Sequence, residues 1–579
     1  MLSGPCMTDK DSAAVKYNTP GTPSNFTSQG SFAFLHPTTM TVQNWQEISR
    51  AKQAATSKLV ETWLPPDFSV DDKLLNVMDV PTKYLSQRDN EITLLRATGL
   101  IEKMRSGSLK SEDVVQAFCK RAAIAHKLVN CLTEPMFEAA IARSKELDIY
   151  YSENKKPFGP LHGLPISLKD TCNVKGVPTS LGYVGQVDRI AKRDSSVVEI
   201  LKAAGAVIFT KTNLPTAIFG SETVNNLFGR TTNPRGRNMT PGGSSGGEAS
   251  LIVLHGSPLG FGTDIGGSIR SPSHFSGLYG LRPSHTRVPH QDVVTSMDGQ
   301  ETIHTVIGPM ANSLQDLELA MQVIANAKPW LLDPKCAPIP WQNVEMPQKL
   351  CIGVMWDDGI VQTQPPIQRA LNEVVEKLQE SGHQIIKWEP VLQKDIVNVW
   401  ETLFVSDGGQ DIKIELERSG EPVLPRIQRI LDRAAPLSTF ETWQLQQRKL
   451  IIQKEYLDRW NATVEQSSTG RPMDLILTAA KPTIATEHDK APVYVGYAAF
   501  VNLMDYPSIV IPATQVDPEI DEPKLLTREA WNPDDEQNYA AYDPVVMKGM
   551  PVGLQFVGRR LHEENLLACA KIVEKALSA

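Results

Sequence analysis

Ser195-Ser-Val-Val-Glu-Ile-Leu-Lys-Ala-Ala-Gly-Ala-Val-Ile-Phe-Thr210 reads as a helix, a stop and a strand. Ser195 to Ala204 has the apolar spacing of a helix packed on one face. Gly205 ends it, and Ala206 to Thr210 is a short apolar run of the kind found in buried strands. Upstream, Leu164-Pro-Ile-Ser-Leu-Lys169 reads as another short strand, closed by a lysine. A helix delivering the chain to a buried strand across a short turn is the building unit of an α/β fold.

The same signals continue on both sides. Toward the N-terminus the pattern is helical from Asn44. One helix is predicted over Asn90–Met104, a second from Ser111 to about Val129 with Ser111 as N-cap and Glu112 and Asp113 in its first turn, and a third over roughly Met136–Tyr151. Toward the C-terminus, strand-like runs at Leu350–Met355, Leu475–Ala479, Ser508–Ile511 and Val552–Val557 are separated by helices at Ile367–Ser381, Gln444–Trp460 and Glu563–Ala576. Residues 390–470, rich in Trp and long polar side chains, read as a helical excursion from the sheet. Residues 1–41, rich in Ser, Thr, Gly and Pro without apolar periodicity, are predicted to be a mobile tail. Residues 42–579 then form the folded body, and no repeat of fixed period is present.

Composition narrows the function classes. The 579 residues carry 58 Lys and Arg against 66 Asp and Glu, a formal charge of −8. That is not the footprint of a nucleic-acid binder. A hydrophobic fraction of 41% with 21% charged residues excludes a disordered chain. The apolar stretches, such as Leu251–Leu254 and Ile509–Ile511, fall far short of the ~20 residues of a membrane span. Cys6, Cys119, Cys131, Cys172, Cys336, Cys351 and Cys569 are sparse, odd in number and without C-x-x-C spacing, which points to a reducing compartment rather than a disulfide framework. Met1–Asp11 lacks the basic and apolar regions of a secretory signal, so a cytoplasmic location is expected. The Asn-x-Ser/Thr matches at Asn25, Asn238 and Asn461 are then expected to be chance, since glycosylation needs secretion.

Residues 226–290 differ from the rest. They are crowded with Gly, Ser and Pro, a composition that inside a folded chain holds backbone close to a ligand. Their centre is Pro241-Gly-Gly-Ser244-Ser245-Gly-Gly-Glu248, followed by Gly262-Thr-Asp264-Ile-Gly-Gly-Ser268-Ile-Arg270. Two serines, Ser244 and Ser268, thus sit in glycine surroundings in neighbouring motifs, with Lys169 at a strand end well upstream of both. Taken alone, Gly-Gly-Ser-Ser-Gly-Gly has three readings. It could cradle a phosphate, although the G-K-[ST] ending is missing. Gly242 to Gly246 also matches the G-x-S-x-G nucleophile elbow, but Asn233–Thr240 looks like loop rather than strand, and no downstream histidine stands out. It could equally be a structural glycine loop.

The whole constellation resembles the amidase signature family, and within it the fungal acetamidase-type general amidases. Lysine in a Ser-Leu-Lys-Asp context and the two serine motifs occur in order at the family's spacing. Further matching stretches are Gly159–Asp170, Glu222-Thr-Val-Asn-Asn226, Tyr279-Gly-Leu-Arg-Pro-Ser-His285 and Val557-Gly-Arg-Arg-Leu561. The likeness runs from about Trp45 to near Leu577. Ala249 stands where many members have Gly, and the tail before Val42 has no evident counterpart.

The resemblance implies a single large α/β/α domain around a mixed twisted sheet, a cis peptide between Gly243 and Ser244, and a Ser-cisSer-Lys triad. Ser268 would be the nucleophile, Ser244 the proton relay and Lys169 the general base and later acid. Backbone N–H groups of Ile265, Gly266, Gly267 and Ser268 would form the oxyanion hole, with Ile218 a pocket residue. Ser245, Asp264 and Arg270 would form a supporting layer, although a purely structural Asp264–Arg270 ion pair fits equally well. The chemistry is coherent. A serine hydroxyl must lose its proton as it attacks, and lysine can take that proton only when neutral. Its pKa must therefore fall from ~10.4 toward ~7–8 by burial, a difference of about 4 kcal/mol.

The expected enzyme is an amidohydrolase acting on a small-molecule amide through an acyl-serine. No metal and no organic cofactor are needed, no nucleic acid is engaged, no segment spans a membrane, and a homodimer is possible. Two alternatives remain at this stage: the A subunit of a glutamine-dependent tRNA amidotransferase, which uses the same triad, and a catalytically silent binding protein on the same scaffold.

Overall fold

A computed structural model describes residues 44–345, 347–523 and 529–578. The expected tail, 1–41, and Cys6 within it, lie outside the described residues. The strands are β1 Leu132–Pro135, β2 Pro165–Lys169, β3 Val207–Thr212, β4 Val224–Asn225, β5 Gly229–Arg230, β6 Leu259–Asp264, β7 Tyr279–Arg282, β8 Val306–Ala311, β9 Cys351–Met355, β10 Gln384–Lys387, β11 Leu475–Ala479, β12 Ser508–Gln515 and β13 Pro551–Val557. β4 and β5 pair only with each other. The other eleven form one sheet in the order β1-β3-β2-β6-β8-β7-β12-β13-β11-β9-β10.

The sheet is mixed. β2 runs parallel to β3 and β6, with Ser167 opposite Gly260 and Leu168 opposite Phe261. β6 to β8 and β12 to β13 are antiparallel, and β9 to β10 and β11 are parallel again. Every residue of β2, β3, β6, β8, β9, β11 and β13 is buried. Successive strand residues point to opposite faces, so both faces of the sheet are covered, as an α/β/α arrangement requires. The fold class is therefore α/β, and the strand read at residues 164–169 is a central one.

Element positions follow the apolar spacing closely. Strand β11 and the helix Ser111–Val129 have the predicted bounds, and the helix Ser196–Ala203 leads into β3. Two expectations are corrected. The predicted helix over Asn90–Met104 is two helices, Gln87–Thr93 and Ala97–Arg105. The second starts where the Thr98 N–H donates to Asp316 Oδ1 (2.9 Å), a carboxylate remote in sequence. Ser111 is not an N-cap. The backbone N–H groups of Ser111 and Glu112 donate to the two oxygens of Asp148 at 2.8 and 3.0 Å, and the buried Ser111 hydroxyl has no partner among the described residues. Both cap carboxylates arrive by tertiary contact, which local spacing does not reveal.

Between residues 393 and 462 the chain forms four helices, Gln393–Phe404, Gln410–Glu417, Pro425–Leu431 and Thr439–Ala462. The last opens with a capping box between Ser438 and Glu441. The six described cysteines are buried and unpaired. Among the described residues no helix is long and apolar enough to cross a membrane.

Replacing Asp148 by alanine strips the cap from the helix Ser111–Val129 and should cost about 1 kcal/mol locally. Hydrogen–deuterium exchange should then speed up about fivefold or more in peptides covering the helix start. Unchanged protection there would show that the Asp148 carboxylate does not hold that end.

Candidate active site

The parallel pairing of β2 and β6 brings two carboxyl-terminal strand ends side by side, the end of the strands at which ligands of open α/β folds bind. Lys169 ends β2, and Thr263 and Asp264 end β6. The Lys169 side chain is fully buried. Its Nζ donates to Ser244 Oγ at 2.7 Å and to Thr263 Oγ1 at 2.9 Å. Burial pushes the amine down to about 7, against the opposing pull of Asp264 and, more weakly, of Cys172 and Glu248. Glu248 does little to hold Lys169 charged, because burial pushes its own carboxyl up to about 7 despite hydrogen bonds from Ser167 and from Thr212 Oγ1 (2.6 Å).

Ser244 lies in the glycine-rich turn that feeds the helix Gly246–Val253, and the Gly243–Ser244 peptide bond is cis. Ser245 follows as N-cap. Its N–H donates to the Ser268 carbonyl (3.2 Å) and its hydroxyl to the Thr263 carbonyl (3.5 Å), tying the two serine motifs and β6 together. Ser268 is half-buried and lines a cavity of about 320 Å3 together with Gly243, Ile265 and Gly266. The Ser244 and Ser268 hydroxyls are not hydrogen-bonded to each other. Lys169 and Ser244 are thus in direct contact, whereas Ser268, whose carbonyl is bonded by the residue after Ser244, lines the cavity.

The loop carrying Ser268 is organised by Asp264. Its Oδ1 accepts from the Gly267 N–H (2.8 Å), Arg270 Nη2 (3.0 Å) and Asn502 Nδ2 (3.0 Å), and its Oδ2 from the Ile269 N–H and Arg270 Nε, both at 3.1 Å. Burial alone would raise the Asp264 carboxyl, but the Arg270 guanidinium and the Asn502 amide hold it well below the usual carboxylate range. Arg270, also fully buried, reaches on to Asn502 Oδ1 (2.6 Å) and Gln555 Oε1 (3.1 Å). Asp264 and Arg270 therefore form a buried ion pair whose visible work is to fix the 265–269 backbone.

Of the four residues expected to line an oxyanion site, Gly267 has its N–H committed to Asp264. The N–H groups of Ile265, Gly266 and Ser268 have no hydrogen-bond partner among the described residues. Both glycines are spatially required. A Cβ on Gly266 would lie 2.8 Å from the Trp400 ring, and Gly267, at φ +98°, would bring one within 2.8 Å of Ala498 Cβ. Ile218 lines the cavity with a φ of +65°, which is unusual for a β-branched residue.

Several residues of the site carry no local sequence signature. Thr263, the second partner of Lys169, lies inside the Gly262–Arg270 motif, buried behind the cavity wall rather than lining it. Trp400 and Phe404 stack at 4.5 Å, Phe219 meets Phe404 edge-on at 4.7 Å, and Trp400 Nε1 donates to the Ile265 carbonyl (3.3 Å). Trp400 and Phe404 come from the helix Gln393–Phe404, and the only sequence hint was the tryptophan-rich composition of that stretch. Lys481 and Arg426 also line the cavity, and nothing near them in sequence marked them. Among the described residues no group of His, Cys, Asp or Glu side chains is arranged to hold a metal ion.

The family model Amidase matches residues 113–567. The chain is 40% identical over 546 residues to an acetamidase of Aspergillus oryzae, covering 92% of this chain and 99% of that one. It is 42% identical over 482 residues to Amidase 1 of Gibberella moniliformis, covering 83% and 92%. Among solved structures, a fatty acid amide hydrolase superposes with a TM-score of 0.86 at 31% identity, covering 92% of this chain and 96% of that one. With a family match across most of its length and relatives at this identity, the chain belongs to the amidase signature family of amide-hydrolysing enzymes.

Proposed function

We propose that this enzyme hydrolyses a small carboxamide, R–CO–NH2, to the carboxylate and ammonia through an ester on Ser268. The observation that carries the mechanism is the 2.7 Å contact between the buried Lys169 amine and the Ser244 hydroxyl. With its pKa near 7, Lys169 is available in its neutral form at physiological pH, and across that contact Nζ can accept the Ser244 proton. Ser244 in turn takes the proton of Ser268 as Ser268 Oγ bonds to the amide carbonyl carbon. The negative charge on the carbonyl oxygen is met by the uncommitted N–H groups of Ile265, Gly266 and Ser268.

Collapse of that intermediate breaks the C–N bond. The proton held on Lys169 returns through Ser244 to the departing nitrogen, which leaves as ammonia. Water then attacks the ester carbon and gives its proton to the same relay. The carboxylic acid departs and ionises, and Ser268 recovers its proton. Ser245, Asp264 and Arg270 act by holding the two loops in register. Similarity to acetamidases and the modest cavity support a small primary amide as substrate.

Three outcomes are expected. A fluorophosphonate probe should label the enzyme at Ser268, and Ser268→Ala should abolish labelling and lower amide turnover by at least about 1,000-fold. Labelling that survives Ser268→Ala would place the nucleophile elsewhere. The pH profile of kcat/KM should be flat above about 7 and fall about tenfold per unit below it, because protonating Lys169 removes the base. A profile still climbing through pH 9 would contradict this. Lys169→Met should abolish turnover in a protein that still folds, with a lowered Tm because the buried Ser244 and Thr263 hydroxyls lose the amine they bond. Near-normal turnover would rule out Lys169 as the base.

A further inference from the structure

The cavity beside Ser268 is lined by two kinds of surface. One is apolar and aromatic, with Trp400 and Phe404 at its centre. The other is cationic: Arg426, Arg429 and Arg433 follow one another at helical spacing along and just past the helix Pro425–Leu431, and Lys481 comes from the segment after β11. Glu401 is the one carboxylate in this lining among the described residues, and it feels the charge of Arg433.

These cations are unequally neutralised. Arg426 donates to the Ala491 carbonyl (2.8 Å) and to Glu222 Oε1 (3.4 Å), but Glu222 is shared with Arg230 (2.6 Å) and with the Asp489 N–H (2.9 Å). Lys481 donates to Ser221 Oγ (3.0 Å) and the Tyr494 carbonyl (3.3 Å), and among the described residues no carboxylate lies within ion-pair distance of it. Burial and the nearby Arg426 push its amine down to about 7, so a carboxylate bound beside it would draw it into the charged form, and of the three N–H groups of that ammonium one remains uncommitted. The guanidinium groups of Arg429 and Arg433, both exposed residues, have no hydrogen-bond or ion-pair partner among the described residues. A cavity that joins an aromatic wall to cations without a carboxylate partner complements a ligand that is apolar in the middle and anionic at one end.

We infer that the preferred substrates are primary amides that carry a carboxylate. The amide would lie at Ser268, the spacer against Trp400 and Phe404, and the carboxylate on the set formed by Lys481, Arg429 and Arg433. This inference rests on the amidase reading above and specifies its substrate class.

The test compares kcat/KM for monoamides of dicarboxylic acids, from succinamic to suberamic acid together with terephthalamic acid, with that for neutral amides of matching length, from butanamide to octanamide and p-toluamide. The best anionic member should exceed its neutral counterpart by about tenfold or more, and the preference should shrink as salt is raised. In the double variant Arg429→Gln/Arg433→Gln the ratio should fall toward one. Neutral amides cleaved as well as or better than anionic ones at every length would overturn this inference and leave the amidase reading standing. So would a preference unmoved by both salt and the double variant. If neither series is cleaved and the probe does not label Ser268, the amidase mechanism itself fails, and this inference with it.

Discussion

The site is built around one hydrogen bond made out of reach of water, between Lys169 Nζ and Ser244 Oγ. A lysine at the end of a surface strand would be solvated, charged and useless as a base at neutral pH. At the end of β2, flanked by β3 and β6 in a sheet covered on both faces, solvation is withheld and the charged form loses its main stabilisation. No ion pair among the described residues restores it. The carboxylates that act on it are Asp264, whose oxygens are taken by Arg270, Asn502 and two backbone N–H groups, and Glu248, which burial itself drives toward neutrality. The position of β2 in the sheet thus becomes a chemical property of one nitrogen atom.

A second constraint aims the reacting group. The 265–269 loop is rich in glycine, and free chain of that composition is costly to order. Asp264 and Arg270 order it by a buried ion pair in which each partner also bonds backbone or amide groups. Breaking a pair of this kind typically costs about 3–5 kcal/mol, because the survivor is left charged and dry. The same carboxylate removes the Gly267 N–H from the set that could meet a developing oxyanion and leaves those of its neighbours. Trp400 then closes over Gly266 from a helix remote in sequence, linking the shape of the cavity to the stretch between 393 and 462.

Much of this was legible in the sequence wherever the information is local. Alternation of apolar runs with helical spacing, punctuated by Gly205, pointed to an α/β chain, and the bounds of β11 followed from side-chain pattern alone. The order of strands did not, because pairing such as β7 beside β12 joins segments far apart along the chain. Asp148 and Asp316 as helix caps were invisible for the same reason. In the site, Lys169, Ser244, Ser268, Asp264 and Arg270 stood in motifs long enough to be read as a set. Thr263 sat unremarked between them. Lys481, Arg426 and the aromatic wall lie in stretches with no glycine signature, since a cavity wall needs only the right side chain at the right place in space.

The central claim is that Lys169 is a neutral amine at working pH, and the most direct measurement is its titration. Lysine labelled with carbon-13 at Cε reports the charge of each Nζ by NMR, and comparison with Lys169→Met assigns the relevant signal. That comparison also separates it from Lys481, the other buried amine that burial and Arg426 push down to about 7. The account predicts a signal, absent from the variant, that titrates near pH 7. A Lys169 signal that titrates near the ordinary lysine value of ~10.4 would contradict it.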